Sequence, residues 1–367
     1  MAKIPATVIT GFLGAGKTTL IRNLLANAEG KRIALVINEF GDIGVDGEVL
    51  KGCGEATCTE EDIVELSNGC ICCTVADDFI PTMEKLIGRA DPPDHIVIET
   101  SGLALPQPLV RAFNWPEIRT RVTVDGVITV VDGPASAAGQ FSANEAALEA
   151  QRAADDSLDH ETPLSELFED QLACADMIVL SKTDQMSGAE IGTAVGTLGR
   201  RTRSGVQMLH STESGIGADI LLGLGIGAEE DLDSRHEVHH HHHHDDDHGH
   251  GHHHDHHHDH GHGHEHEQGH EHGHDAFESF ALTLGEVADP ATFIDRLASA
   301  IDAHNILRLK GFVAVEGKPM RQVVQAVGPR IDTYFDRPFG SDPRETRLVV
   351  IGLTGLDQAA IKSAIMP

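Results

Sequence analysis

The sequence predicts an α/β protein of two domains: a doubly wound, mostly parallel sheet, then a small α+β unit beyond a histidine-rich linker. Three observations carry that prediction. Apolar strand-like runs alternate with amphipathic helical runs over residues 1–228, the pattern of βαβ units stacked into a helix-covered parallel sheet. A glycine-rich turn ending in Gly-Lys-Thr follows the first of those strands. Between residues 236 and 274, 22 of 39 positions are histidine, with Asp, Glu and Gly supplying nearly all the rest. A segment with so few apolar side chains cannot offset the entropy cost of ordering, so it reads as a disordered linker.

Element by element, strands are expected at residues 6–10, 32–37, 95–99, 123–131, 177–180 and 206–209, with helices between them such as 18–28 and 80–89. The linker is expected over 229–275. After it, 277–284 (strand), 290–303 (helix), 306–315, 321–326 and 347–353 (strands) and 357–365 (helix) make up the α+β unit of residues 276–367.

Charge narrows the function classes. The chain carries 27 basic and 58 acidic side chains, a formal charge of −31 with its 26 histidines neutral. Residues 1–228 contribute −17, the linker −13 and the last 92 residues −1. Such acidity argues against sequence-independent nucleic-acid binding, which needs Lys and Arg on phosphates, and favours cationic partners, metal ions included. No stretch approaches the roughly 18 apolar residues that span a bilayer, and the N-terminus lacks a leader-like apolar region. A cytoplasmic protein without a membrane partner is expected. Five of the six cysteines fall between Cys53 and Cys73, which in a reducing compartment reads as metal ligation rather than cross-linking.

Gly11-Phe12-Leu13-Gly14-Ala15-Gly16-Lys17-Thr18 matches G-x-x-x-x-G-K-[ST] between a strand and a helix. Its glycines let backbone N–H groups turn around phosphate oxygens, and the helix start adds its positive dipole end. Gly11, Gly14, Ala15, Gly16 and Thr19 are expected around the phosphates, with catalytic Lys17 on the β/γ-phosphates and the Thr18 hydroxyl on Mg²⁺. Ser181-Lys182-Thr183-Asp184 follows another apolar strand. An Asp184 carboxylate can accept from both N1–H and the 2-amino group of guanine, and the Lys182 stem can cover the ring. The tetrapeptide is similar to the N-K-x-D guanine motif, with Ser181 in place of Asn, a change expected to weaken the bracing of the phosphate loop. Glu99 ends the strand at 95–99, where a carboxylate can hold Mg²⁺ through water or orient the attacking water.

Cys70-Ile71-Cys72-Cys73 is the most distinctive tetrapeptide. In an extended segment Cys70 and Cys72 share one face with α-carbons about 6.6 Å apart, within reach of one metal at sulfur–metal distances of about 2.3 Å. Cys73 joins them only if the chain bends. Together these motifs identify the chain as similar to the CobW-like P-loop GTPases. The resemblance rests on Gly11–Thr18, Asn38-Glu39-Phe40-Gly41-Asp42, Cys70–Cys73, Glu99–Gly102, Ser181–Asp184 and the C-terminal α+β unit. It implies that Glu99 of an E-x-x-G motif replaces the usual Walker B Asp, that Glu39 and Asp42 approach Mg²⁺ or the transported metal, and that residues up to Asp77 contact the nucleotide. It also implies GTP-dependent delivery of a transition metal to a recipient metalloenzyme. Co²⁺ bound for cobalamin synthesis, with the cobalt chelatase as recipient, is the expected cargo, and Zn²⁺ the alternative. Two or three thiolates ordinarily favour Zn²⁺ or Cu over Co²⁺, so a switch ordered by GTP and Mg²⁺ is the expected source of selectivity.

The histidine tract offers many imidazoles that should bind several ions weakly and exchange them fast; the other reading is a solvated spacer. Cys53 and Cys58, flanking Glu55, are further candidate ligands. Cys174 is expected in the core, and His95, His160, His210 and His304 as structural or surface residues.

Overall fold

Strands β1 (Ile4–Thr10), β4 (His95–Glu99) and β6 (Met177–Ser181) are almost wholly buried, as strands covered by helices on both faces must be. The protein is described from a computed structural model, which covers residues 3–28, 30–38, 63–66, 79–154, 163–212, 215–232, 235, 277–328, 330–340 and 343–366. Its first sheet has seven strands in the order β3-β2-β4-β1-β5-β6-β7. Besides those above, these are β2 (Ile33–Asn38), β3 (Ile63–Leu66), β5 (Val122–Asp132) and β7 (Gln207–His210). Every pairing is parallel.

The helices of this unit are α1 (Lys17–Ala26), α2 (Ile80–Ile87), α3 (Pro106–Ala112), α4 (Gly133–Ala137), α5 (Glu145–Ala154), α6 (Leu164–Cys174), α7 (Gly188–Gly199) and α8 (Ala218–Leu221). Two apolar clusters cover the sheet. One holds Leu20, Ile21, Leu24, Met83 and Phe113; the other holds Phe12, Phe168, Leu172 and Leu198. In a parallel sheet all carboxyl ends lie at one edge, where ligands bind at the point of reversed strand order. Here β1 lies between β4 and β5, and its carboxyl end runs into the glycine-rich loop.

The second sheet is antiparallel, in the order β11-β10-β9-β12-β8. Its strands are β8 (Phe277–Leu284), β9 (Ile306–Ala314), β10 (Met320–Val327), β11 (Arg330–Pro338) and β12 (Thr346–Leu353). Helices α9 (Pro290–Ala303) and α10 (Gln358–Ile365) bury Phe293, Leu297, Ile361 and Ile365 against Leu309, Val313, Val324 and Val350. Asp289 caps α9 by accepting from the N–H groups of Ala291 and Thr292 at 3.1 and 3.2 Å.

Three features depart from the sequence reading. Strand β3 was not expected, because four residues give too short a run to show alternation. Neither was β11, whose exposed edge carries charges and aromatics instead of an apolar stripe. The linker boundary expected at 229 also falls short. Residues Ala228–Glu230 form a 3-10 turn, and the buried Glu229 accepts from Thr123 Oγ1 at 2.6 Å and Val124 N–H at 2.8 Å. Arg235, wholly buried, bonds Asp176 twice, at 2.8 and 3.2 Å. A charged stretch that composition assigns to the linker is thus held by buried partners. Residues 233, 234 and 236–275 of the expected linker lie outside the described residues.

Candidate functional site

Between β1 and α1, every carbonyl from Gly11 to Ala15 is engaged by a side chain. Lys17 Nζ donates to Gly11 O at 2.8 Å and to Phe12 O at 3.5 Å. Ser142 Oγ donates to Leu13 O at 3.0 Å, Lys182 Nζ to Gly14 O at 2.8 Å and Ser181 Oγ to Ala15 O at 2.6 Å. With its carbonyls committed, the loop has N–H groups left to offer a ligand, the requirement for an anion cradle. Two glycines make the path possible. Gly11 sits at φ 138° where a Cβ would lie 2.2 Å from Val130 O, and Gly16 at φ 101° starts α1 with no side-chain cap. An uncapped helix start without acidic residues in its first turn favours phosphate. Phosphate entering the loop competes with the carbonyls for the ammonium of Lys17. Thr18 and Thr19 sit in that first helical turn.

A cavity of about 470 Å³ opens beside the loop, lined by Thr19, Arg22, Asn23, Ser181, Lys182, Asp184 and the Ser211-Thr212 pair, among others. The size suits a nucleoside. Lys182 holds φ at 57°, left-handed geometry that a lysine keeps only where its surroundings fix it. Its ammonium supplies that fixation, bonding Gly14 O and pairing with the buried Asp132 at 2.6 Å. The loop-bracing deficit expected of Ser181 is corrected here. Its hydroxyl contacts both Ala15 O and Val131 O, so a short side chain does the bracing because β6 ends close against the loop. Thr183 Oγ1 and N–H both donate to Ser211 O at 3.2 Å, joining the segments that follow β6 and β7.

Glu99, buried at the end of β4, lies in register with Ile9 of β1 and Ile37 of β2. Thr100 Oγ1 bonds Thr10 Oγ1 at 2.9 Å, fixing the chain just beyond. Thr18 stands in the first turn of α1 and Glu99 ends β4; a hydroxyl and a carboxylate are hard-oxygen donors of the kind that Mg²⁺ takes. The structure thus gathers Gly11, Gly14, Ala15, Gly16, Lys17, Thr18, Thr19, Glu99, Ser181, Lys182 and Asp184 at the carboxyl edge of one sheet. Asp42, Asp77 and Cys70, Cys72 and Cys73 lie outside the described residues, as do Glu39, Cys53, Cys58 and His160. The strand that precedes the thiols, β3, ends at Leu66 on that same carboxyl edge.

Sequence reasoning missed Arg22, Asn23, Gln185, Ser211 and Thr212 in the cavity wall. Ser211-Thr212 carried a usable signal, since they follow the last predicted strand of the sheet. Cys174 is core as expected, and burial pushes its thiol up to about 12. His95 is structural too, its Nε2 2.8 Å from Thr7 Oγ1.

Comparison with known proteins agrees with this geometry. Residues 5–210 match the CobW/HypB/UreG nucleotide-binding domain, and residues 277–366 match the cobalamin synthesis protein CobW C-terminal domain. A Sinorhizobium protein named zinc chaperone CobW is 58% identical over 365 residues, covering 99% of this chain and 96% of that protein. A Pseudomonas aeruginosa protein of the same name is 48% identical, covering 100% of this chain and 91% of that one. The zinc-regulated GTPase metalloprotein activator 1 of Schizosaccharomyces pombe is 36% identical over 198 residues, covering 53% of this chain and 43% of its own length. Fold and site define a P-loop GTPase with an appended antiparallel domain. The chain belongs to the CobW family, the GTPase metallochaperones.

Proposed function

We propose that this GTPase carries Zn²⁺ on Cys70, Cys72 and Cys73, assembling the thiolate site with GTP and releasing the ion to a recipient metalloenzyme on hydrolysis. The observation that carries the reading is the convergence at one sheet edge. The phosphate loop after β1, Glu99 at the end of β4 and the end of β3, which leads to the thiols, share it. A terminal phosphate there can bias segments that leave the same edge, an order–disorder device general to GTPases. Thiolates suit Zn²⁺, and the two full-length relatives above are named zinc chaperones, which turns the expectation of cobalt and cobalamin synthesis toward zinc.

Asp184 selects guanine, Lys17 draws charge from the β/γ-phosphates, and Thr18 and Glu99, with Asp42, hold Mg²⁺, which neutralises charge on the transferred phosphoryl group when bound. Asp77 completes the nucleotide site. The histidine tract collects ions and the thiol site discriminates among them. Among the described residues no helix is long and apolar enough to cross a membrane, and free thiolates call for a reducing compartment such as the cytoplasm.

Anaerobic competition of Co²⁺ against Zn²⁺ on the GTP·Mg²⁺ form, repeated with the three cysteines changed to serine, tests the cargo. Retention of Zn²⁺ that requires the cysteines is expected; preferential retention of Co²⁺ would return the reading to cobalt.

A further inference from the structure

Gln171 lies within α6, wholly buried, a place where Leu or Met would pack without the cost of an amide. Its Nε2 donates to the carbonyls of Gly102 and Ala104 at 3.1 and 3.2 Å. Its main-chain carbonyl accepts from Thr129 Oγ1 on β5 at 2.9 Å, so α6, β5 and the loop after β4 meet at this residue. Both of the amide's donors are spent on that loop, and Oε1 has no partner among the described residues.

The loop it holds stands directly against the phosphate loop. A Cβ on Gly102 would come within 2.8 Å of Leu13 N, so backbone meets backbone there. Two donors at this contact lack acceptors among the described residues: the buried Ser101 hydroxyl and the Gly102 N–H. Buried donors are nearly always satisfied, because leaving one without an acceptor forfeits the hydration it had in water. An anion beside Leu13 would satisfy both.

We infer that Gln171 is a positioning residue for GTP hydrolysis: it fixes the 101–104 loop so that Ser101 Oγ and Gly102 N–H meet the terminal phosphate. The inference rests on reading Gly11–Thr18 as the phosphate cradle. A residue that only anchors a loop would affect GTP and GDP alike. One that aims donors at the third phosphate affects GTP alone.

The test is Gln171→Met, which keeps the volume and removes both donors, in the full-length protein. Affinity for a non-hydrolysable GTP analogue should fall about tenfold, the effect of roughly one buried hydrogen bond's worth of positioning, and kcat should fall with it. Affinity for GDP should stay within about twofold. Equal weakening of both nucleotides, or no change in either, overturns the proposal. Lys17→Ala reports separately on the cradle and should weaken both nucleotides; if it weakens neither, the cradle assignment fails, whatever Gln171 does. Should Gln171→Met not fold, hydrogen exchange on the wild-type protein decides. The Gly102 amide should exchange more slowly with the GTP analogue than with GDP; equal exchange overturns the proposal.

Discussion

Ser181 Oγ donates to the carbonyl of Ala15 at 2.6 Å, joining the end of β6 to the phosphate loop across 166 residues of sequence. Through this contact and its neighbour, Lys182 to Gly14 O, the Ser181–Asp184 motif, proposed to read the base, holds the glycine-rich loop in shape. Changing Ser181 to Ala should therefore weaken GTP and GDP together. Leaving Ala15 O without its buried donor costs on the order of 1–2 kcal/mol, a loss of about fivefold to thirtyfold in affinity for each nucleotide. Fluorescent-nucleotide titration measures it, and a loss confined to one nucleotide would count against the bracing role.

The base choice proposed for Asp184, which lines the cavity, rests on a different chemistry. Asp184→Asn replaces an acceptor with a group that can donate, so guanine loses its partner while xanthine, with a carbonyl at position 2, gains one. GTP affinity should fall by at least about tenfold and XTP affinity should rise. Competition between the two nucleotides on the variant reads both directions at once.

The pH dependence of stability has an identifiable source in His95. Burial, aided by the cations Lys31 and Arg308, pushes its imidazole down to about 4 against the opposing pull of Asp125, 3.8 Å away. The unfolded chain takes up this proton near pH 6.5. Stability is therefore complete above that value and is lost as pH falls toward 4, because the unfolded state binds a proton that the folded state refuses. His95→Gln should remove about 2 kcal/mol of the stability difference between about pH 7.5 and about pH 5. Urea unfolding of both proteins at the two pH values checks it; identical differences would contradict it.

Asp176 is paired by two arginines, Arg203 at 3.1 Å and the wholly buried Arg235 at 2.8 Å. Removing Arg235 leaves a buried carboxylate with one cationic partner, Arg203, beside the Val127 N–H, and the carbonyl of Cys174 loses the bond it accepts from Arg235. Arg235→Ala should cost about 3 kcal/mol, seen as a lower denaturation midpoint. A change under about 0.5 kcal/mol would mean that the segment is not anchored there.

Much of this site was legible in the sequence because its chemistry is local. Gly11–Thr18 and Ser181–Asp184 are contiguous motifs, and the strands before them are apolar enough to announce themselves. What escaped notice is made by distant pairs. Ser142 reaches Leu13 from the loop before α5, and Gln171 reaches Gly102 from a helix whose sequence shows only ordinary amphipathic spacing. Ser181 looked deficient beside Asn because side-chain length was weighed without knowing how closely β6 approaches Ala15. The linker boundary slipped for a related reason: Glu229 and Arg235 look like solvated charges until their buried partners are in view. β11 was hidden by its position at a sheet edge, where alternation is not required.

The central claim is that nucleotide state sets metal affinity, and a Zn²⁺ titration of the full-length protein tests it most directly. It should be run with a non-hydrolysable GTP analogue and Mg²⁺, with GDP, and without nucleotide, each beside the variant with Cys70, Cys72 and Cys73 changed to serine. One tight site is predicted with the GTP analogue alone and lost in the serine variant, above a background of weak sites common to all forms. Equal tight binding in all three nucleotide states, or a tight site that survives the serine changes, would contradict it.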